Sequence, residues 1–161
     1  SNTPCSLRPH QRSPCPPPSV QTGVLISKVD AAWDSSSGKC GIGVIFSGDV
    51  AFSHPTISDS LSHVSSALMA EAIAVHRAVA LAFYSNVRSL AVLSDSLSLI
   101  NLLKTRGCQP ELFGIMFDIY HFMSYFDVIS FAFISRNFNS EADSVAKSTL
   151  DQFVRNPIRG G

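Results

Sequence analysis

Val24-Leu25-Ile26-Ser27-Lys28-Val29-Asp30-Ala31-Ala32-Trp33 reads as a β-strand rich in β-branched and apolar residues, with a carboxylate set in its interior. Asp is depleted in such places, because a carboxylate withdrawn from water costs free energy unless it is paired, hydrogen-bonded or bound to a cation. Asp30 is therefore either a solvent-facing residue of an edge strand or a buried acid with a partner.

Upstream, residues 1–22 set Pro4, Pro9, Pro14, Pro16, Pro17 and Pro18 among Ser, Thr, Asn and Gln, and a disordered tail or linker is expected there. Downstream, Gly41–Phe46 and Val50–His54 read as a second and third strand, with Ser-Ser-Ser-Gly and Ser-Gly-Asp as the turns of an antiparallel meander. Ser66–Tyr84 follows as a helix, since Leu68, Ala72, Val75, Val79 and Phe83 recur every three to four residues. Leu90–Leu93 is a short strand, and Leu97–Leu103 is a helix stopped by Gly107 and Pro110. Glu111–Phe126 reads as another helix, Val128–Ser135 as a strand and Ser140–Phe153 as a closing helix. A meander followed by alternating strands and helices predicts one α/β domain over residues 23–153. Its sheet is five-stranded and mixed, antiparallel in the meander and parallel beyond it, and flanked by helices on both faces. Residues 154–161 are expected to form a flexible C-terminal tail.

The 161 residues are enough for one domain with a real core, and 45% hydrophobic against 15% charged residues places the chain among globular proteins. The apolar stretch Leu68–Tyr84 is interrupted by Glu71, His76 and Arg77, so no membrane span is expected. With a polar, Pro-rich N-terminus and four scattered cysteines, the expectation is an intracellular, reduced protein, with the nucleus a candidate compartment. Net charge is zero, but Arg8 and Arg12 fall in the tail, leaving ten bases against twelve acids in the rest.

Three more acids stand in awkward places. Glu71 lies three residues after Leu68 and four before Val75, on or beside the apolar stripe of its helix, so it points inward or snorkels from the stripe's edge. Asp95 follows the fourth strand, where open α/β sheets gather ligand-binding groups, although Ser94-Asp95-Ser96 would equally cap the next helix. Asp143 sits in Ser140-Glu141-Ala142-Asp143, whose spacing a capping box alone would explain.

Taken in order, these motifs carry a resemblance. Lys28-Val29-Asp30-Ala31-Ala32-Trp33, Gly41-Ile42-Gly43-Val44-Ile45, Ala70-Glu71-Ala72, Leu93-Ser94-Asp95-Ser96 and Asn139 through Lys147 resemble ribonuclease H of type 1, in particular its plant reverse-transcriptase-like, retroelement-derived subgroup. The resemblance spans roughly residues 24–150. It implies a ribonuclease H-like fold in which Asp30, Glu71, Asp95 and Asp143 form one catalytic and metal-binding cluster. Like carboxylates of this kind need cations, and all-oxygen ligands suit two Mg2+ ions, with Mn2+ as the alternative. As the resemblance implies, such a site hydrolyses the RNA strand of an RNA/DNA hybrid. Asp30 would bridge both ions, Glu71 and Asp95 would serve the leaving side, and Asp143 would hold the ion of the attacking water. Ser65, Ser66 and Ser96 are the polar candidates for contacting substrate, each also explicable as a turn or cap residue.

The sequence also departs from that family. The loop Ser135-Arg136-Asn137-Phe138-Asn139 lacks the His that many members carry there, and Lys104-Thr105-Arg106-Gly107 is all that remains of a basic handle. Weak intrinsic affinity for nucleic acid follows, with dependence on a reverse transcriptase or other neighbouring domain. A monomer without membrane association is expected. The rival reading is a catalytically weak or inactive retroelement-derived module that binds nucleic acid. Gly41-x-Gly43 fits close packing better than a phosphate loop, and Cys5, Cys15, Cys40 and Cys108 show no paired zinc spacing.

Overall fold

The computed structural model describes residues 23–49, 52, 53 and 55–156; the expected N-terminal tail, Cys5, Cys15 and residues 157–161 lie outside that set. Five strands and four α-helices follow one another in the expected order: β1 (Val24–Asp34), β2 (Lys39–Ser47), β3 (Thr56–Leu61), α1 (Ala67–Tyr84), β4 (Ser89–Ser94), α2 (Leu97–Thr105), α3 (Phe113–Met123), β5 (Val128–Phe133) and α4 (Ser140–Arg155). Single 3-10 turns, Pro110–Leu112 and Arg136–Asn139, lead into α3 and α4. The sheet order is β3-β2-β1-β4-β5, with β1, β2 and β3 antiparallel and β4 and β5 running parallel to β1. It is the mixed five-stranded sheet expected.

Several boundaries differ from the expectation, β5 for one ending at Phe133 rather than Ser135. The third strand is Thr56–Leu61, not Val50–His54, of which Val50, Ala51 and His54 lie outside the described residues and Phe52 and Ser53 are not in a strand. Its sequence, Thr-Ile-Ser-Asp-Ser-Leu, is mostly polar because β3 is an edge strand, and a search for apolar runs passes over it. The helix expected over Glu111–Phe126 begins as a 3-10 turn at Pro110 and ends at Met123. The last helix continues through Val154 and Arg155, two residues into the expected tail.

Strand alternation organises the packing. In β2, Cys40, Ile42, Val44 and Phe46 are buried in the main core, which also takes up the buried positions of α1, α2 and α3, while Gly41 and Gly43 turn toward α4. A Cβ on Gly41 would come within 2.3 Å of the Ala146 carbonyl oxygen, and one on Gly43 within 2.4 Å of the Ala142 carbonyl oxygen. These two glycines are what let the backbone of α4 lie directly on the sheet.

Helix α1 is long and apolar enough to cross a membrane by length and composition. Here it is a core helix, packed on β1, β2 and β4 and covered by α3, with Ala70, Ala72, Ala74, Ala78 and Ala82 allowing close approach.

Candidate functional site

Strand β1 is central, so its interior acid is not a solvent-facing edge residue: Asp30 is only 4% exposed. Register brings the second acid alongside. In the parallel β1–β4 ladder the last partners are Val29 and Ser94, so Asp30, within β1, and Asp95, just past the carboxyl end of β4, are the next residues of two adjacent strands. Asp95 does not cap α2, whose N-cap is Ser96. Glu71, in the second turn of α1, is turned inward rather than snorkelling. Its Oε1 is buried without a hydrogen-bond partner. Asp30, Glu71 and Asp95 each offer an oxygen, and all three oxygens lie within 4.8 Å of one another.

Asp143 joins from the side. Helix α4 starts above Gly43, and Gly43 pairs with Asp30 across the β1–β2 ladder. The first turn of α4 thus delivers the Asp143 carboxylate to Asp30, with which it shares a hydrogen bond, while Lys147 Nζ sits 3.1 Å from Asp143 Oδ2. No capping bond from its N-cap residue holds this end of α4. All four sequence-predicted acids therefore meet, three of them tightly.

The electrostatics follow from burying like charges. Burial, the charge of Asp95 and a hydrogen bond to Asp143 push the Asp30 carboxyl up to about 7, against the bond that the Ala31 amide donates to Asp30 Oδ1 at 2.9 Å. Burial and the adjacent Asp30 push Glu71 up to about 9. The cation-free cluster holds protons near neutral pH, the Glu71 carboxyl donating to Asp30 and Asp30 to Asp143. An all-oxygen set with an orphaned buried oxygen fits a hard divalent cation, which would replace those protons. Cys40 and Cys108 are free and contribute nothing to it.

Residues 28–149 match the profile of the reverse transcriptase-like family, about three-quarters of the chain. The chain belongs to that family. No curated protein matches it significantly. Among solved structures, the N-terminal RNase H domain of a Mycobacterium tuberculosis protein, fused to maltose-binding protein, aligns at 18% identity over 83% of this chain and 98% of that one, with a TM-score of 0.72. RNase H1 of the archaeon Halobacterium salinarum aligns at 19% identity over 80% and 98%, with a TM-score of 0.70. An RNase H1 isolated from compost, solved with an RNA/DNA hybrid, aligns at 20% identity over 81% and 99%, with a TM-score of 0.70. These likenesses establish the ribonuclease H fold.

In this reverse transcriptase-like protein two further residues border the acids, and sequence reasoning assigned neither a role. Asn139, wholly buried, donates from Nδ2 to the Val29 carbonyl at 2.8 Å and to Asp95 Oδ2 at 3.2 Å. Its spacing of four before Asp143 was visible, but Asn is so common in loops that its type alone signals no buried strut. Arg136, one 3-10 turn earlier, lends a positive charge that opposes the upward shift of Glu71.

The three serines are placed differently from one another. Ser65 is exposed. Ser66 caps α1, its hydroxyl accepting from the Met69 amide and donating to Glu111 Oε2, so that oxygen is already engaged. Ser96 is half-buried, and its amide donates to Ser94 Oγ at 3.0 Å.

Proposed function

We propose that this protein is a ribonuclease H-type endonuclease that hydrolyses the RNA strand of an RNA/DNA hybrid with the help of two Mg2+ ions, for which Mn2+ can substitute. The observation that carries the reading is the convergence of Asp30, Glu71 and Asp95 oxygens within 4.8 Å where the parallel β1–β4 ladder ends, with the Glu71 Oε1 unpartnered. A purely structural cluster of acids has no reason to concentrate like charge beside a buried, unsatisfied oxygen, which costs about 1–3 kcal/mol. Further support is the ribonuclease H fold shared with a compost enzyme solved on such a hybrid.

Asp30, Glu71, Asp95 and Asp143 would hold the cations, which when bound neutralise the acids, lower the proton affinity of water and stabilise charge on the leaving oxygen. The chain's own residues do the rest. The middle of β1 and the end of β4 fix Asp30 and Asp95, Glu71 reaches in from α1, and α4 brings Asp143 beside Asp30. In the reaction, water attacks phosphorus in line, the P–O ester bond opposite breaks, and the departing oxygen takes up a proton.

A second reading, a hybrid-binding module without turnover, is favoured by the loop Ser135-Arg136-Asn137-Phe138-Asn139 leading into α4, which offers no His to move a proton at the site. One experiment separates the two. Labelled hybrid is incubated with the protein, with and without Mg2+, beside Asp95→Asn. Mg2+-dependent cleavage lost in the variant supports the nuclease. Binding with no cleavage by either supports the module.

A further inference from the structure

The buried amide of Asn139 is hydrogen-bonded in an unbalanced way. Its Nδ2 donates to the Val29 carbonyl and to Asp95, while its Oδ1 is buried with no partner. Leaving that oxygen unsatisfied costs about 1–3 kcal/mol, which an apolar side chain of similar size would avoid. What Asn139 supplies is therefore its donor. Its two N–H bonds are fixed at the angle of a planar amide, and their acceptors are the residue before Asp30 on β1 and Asp95 itself. One group ties the interior of β1 to the residue that follows β4, the two places that carry the acids.

Without that tie, Asp95 stands at the end of β4 beside the carboxylate of Asp30, and like-charge repulsion drives it toward water. We propose that Asn139 is a positioning residue: its amide holds Asp95 facing Asp30 and thereby sets how tightly the acid cluster binds a divalent cation. The inference rests on the metal-binding part of the function proposed above, and it reaches beyond it by giving the 3-10 turn before α4 a part in the site. Groups that orient metal-binding carboxylates through hydrogen bonds typically change affinity about 10–100-fold when removed.

The test is a calorimetric titration of the full chain with Mn2+ alone, in the absence of nucleic acid, comparing wild type with Asn139→Ala, Asn139→Leu, Asp95→Asn and the Asn139→Ala/Asp95→Asn pair. The expected result is about 10–100-fold weaker Mn2+ binding in both Asn139 variants. In the Asp95→Asn background, Asn139→Ala then adds little, because its effect runs through Asp95. A residue that merely supports folding would lower Tm and leave the affinity of the folded protein alone. Should Asn139→Ala fold poorly, Asn139→Leu retains the packing volume. Folded variants binding Mn2+ as wild type does, or equal losses with and without Asp95, overturn the inference alone. A wild-type protein that binds no Mn2+ overturns the metal site together with it.

Discussion

Gly43 stands opposite Asp30 across the β1–β2 ladder, and the point where a Gly43 Cβ would sit is 2.4 Å from the Ala142 carbonyl oxygen. The approach of α4 to the sheet and the position of the fourth acid are thus one fact. Gly43→Ala must push backbone against backbone, since no flexible side chain is there to give way. The expected cost is about 1–3 kcal/mol of stability, read as a lower denaturant midpoint. Lifted from the sheet, α4 carries Asp143 away from Asp30, so cleavage of hybrid should fall more than stability does. Gly114, where an added Cβ meets nothing within 4 Å, is the control, and Gly114→Ala should leave cleavage unchanged.

Asp30 and Glu71 both titrate above their ordinary values of 3.8 and 4.5, at about 7 and about 9. The folded, cation-free protein therefore binds more protons than the unfolded chain between about pH 4 and pH 9, and its stability falls as pH rises through that window. Each carboxyl contributes at most about 1.4 kcal/mol per pH unit. Thermal denaturation in EDTA should show Tm dropping from pH 5 to pH 9. Adding Mg2+ should raise Tm by an increment that grows with pH, since cation binding must displace those protons. A Tm in EDTA that rises with pH across the window contradicts the arrangement.

Much of this site was legible because chemistry and local pattern disagreed. Asp inside an apolar strand and Glu beside a helical stripe are costly placements, and cost marks the sequence. Asp95 and Asp143 were ambiguous for the opposite reason, since an acid at a helix start is locally favourable. Only the register Val29–Ser94 and the Gly43–Ala142 approach decide them. Asn139 fell within a quoted motif but its role could not be read there, because an amide in a loop is unremarkable until the loop is seen folded against β1 and the residue after β4. The edge strand Thr56–Leu61 escaped because half-exposed strands need not be apolar.

Glu71→Gln separates stability from chemistry. The amide keeps the shape of the protonated acid but cannot ionise, so at pH 4, where Glu71 is largely protonated in the folded and the unfolded chain alike, the variant should be about as stable as wild type in EDTA. As pH rises above 4.5 the unfolded wild type releases the Glu71 proton that the folded state keeps, so the variant should become the more stable of the two by a margin that grows up to about pH 9. Cleavage should meanwhile drop by about 100-fold or more, since loss of groups that merely orient metal ligands already costs about 10–100-fold. A variant that cleaves normally removes Glu71 from the reaction.

Arg136 places its positive charge near the acids, and it lowers the proton affinity of Glu71 against the effect of burial. Replacing it by Gln removes that help, so Glu71 holds its proton to higher pH. The acidic limb of the cleavage–pH profile should move toward alkaline pH, and Mn2+ affinity at pH 7 should fall, while affinity at pH 9.5 changes less. Arg136→Lys, which keeps a charge on a different frame, should recover much of the profile. Because Arg136 is exposed, Tm should stay close to wild type, so a shifted profile reads electrostatics rather than damage to the fold. An unshifted profile in Arg136→Gln means the guanidinium is too well screened by solvent to act on Glu71.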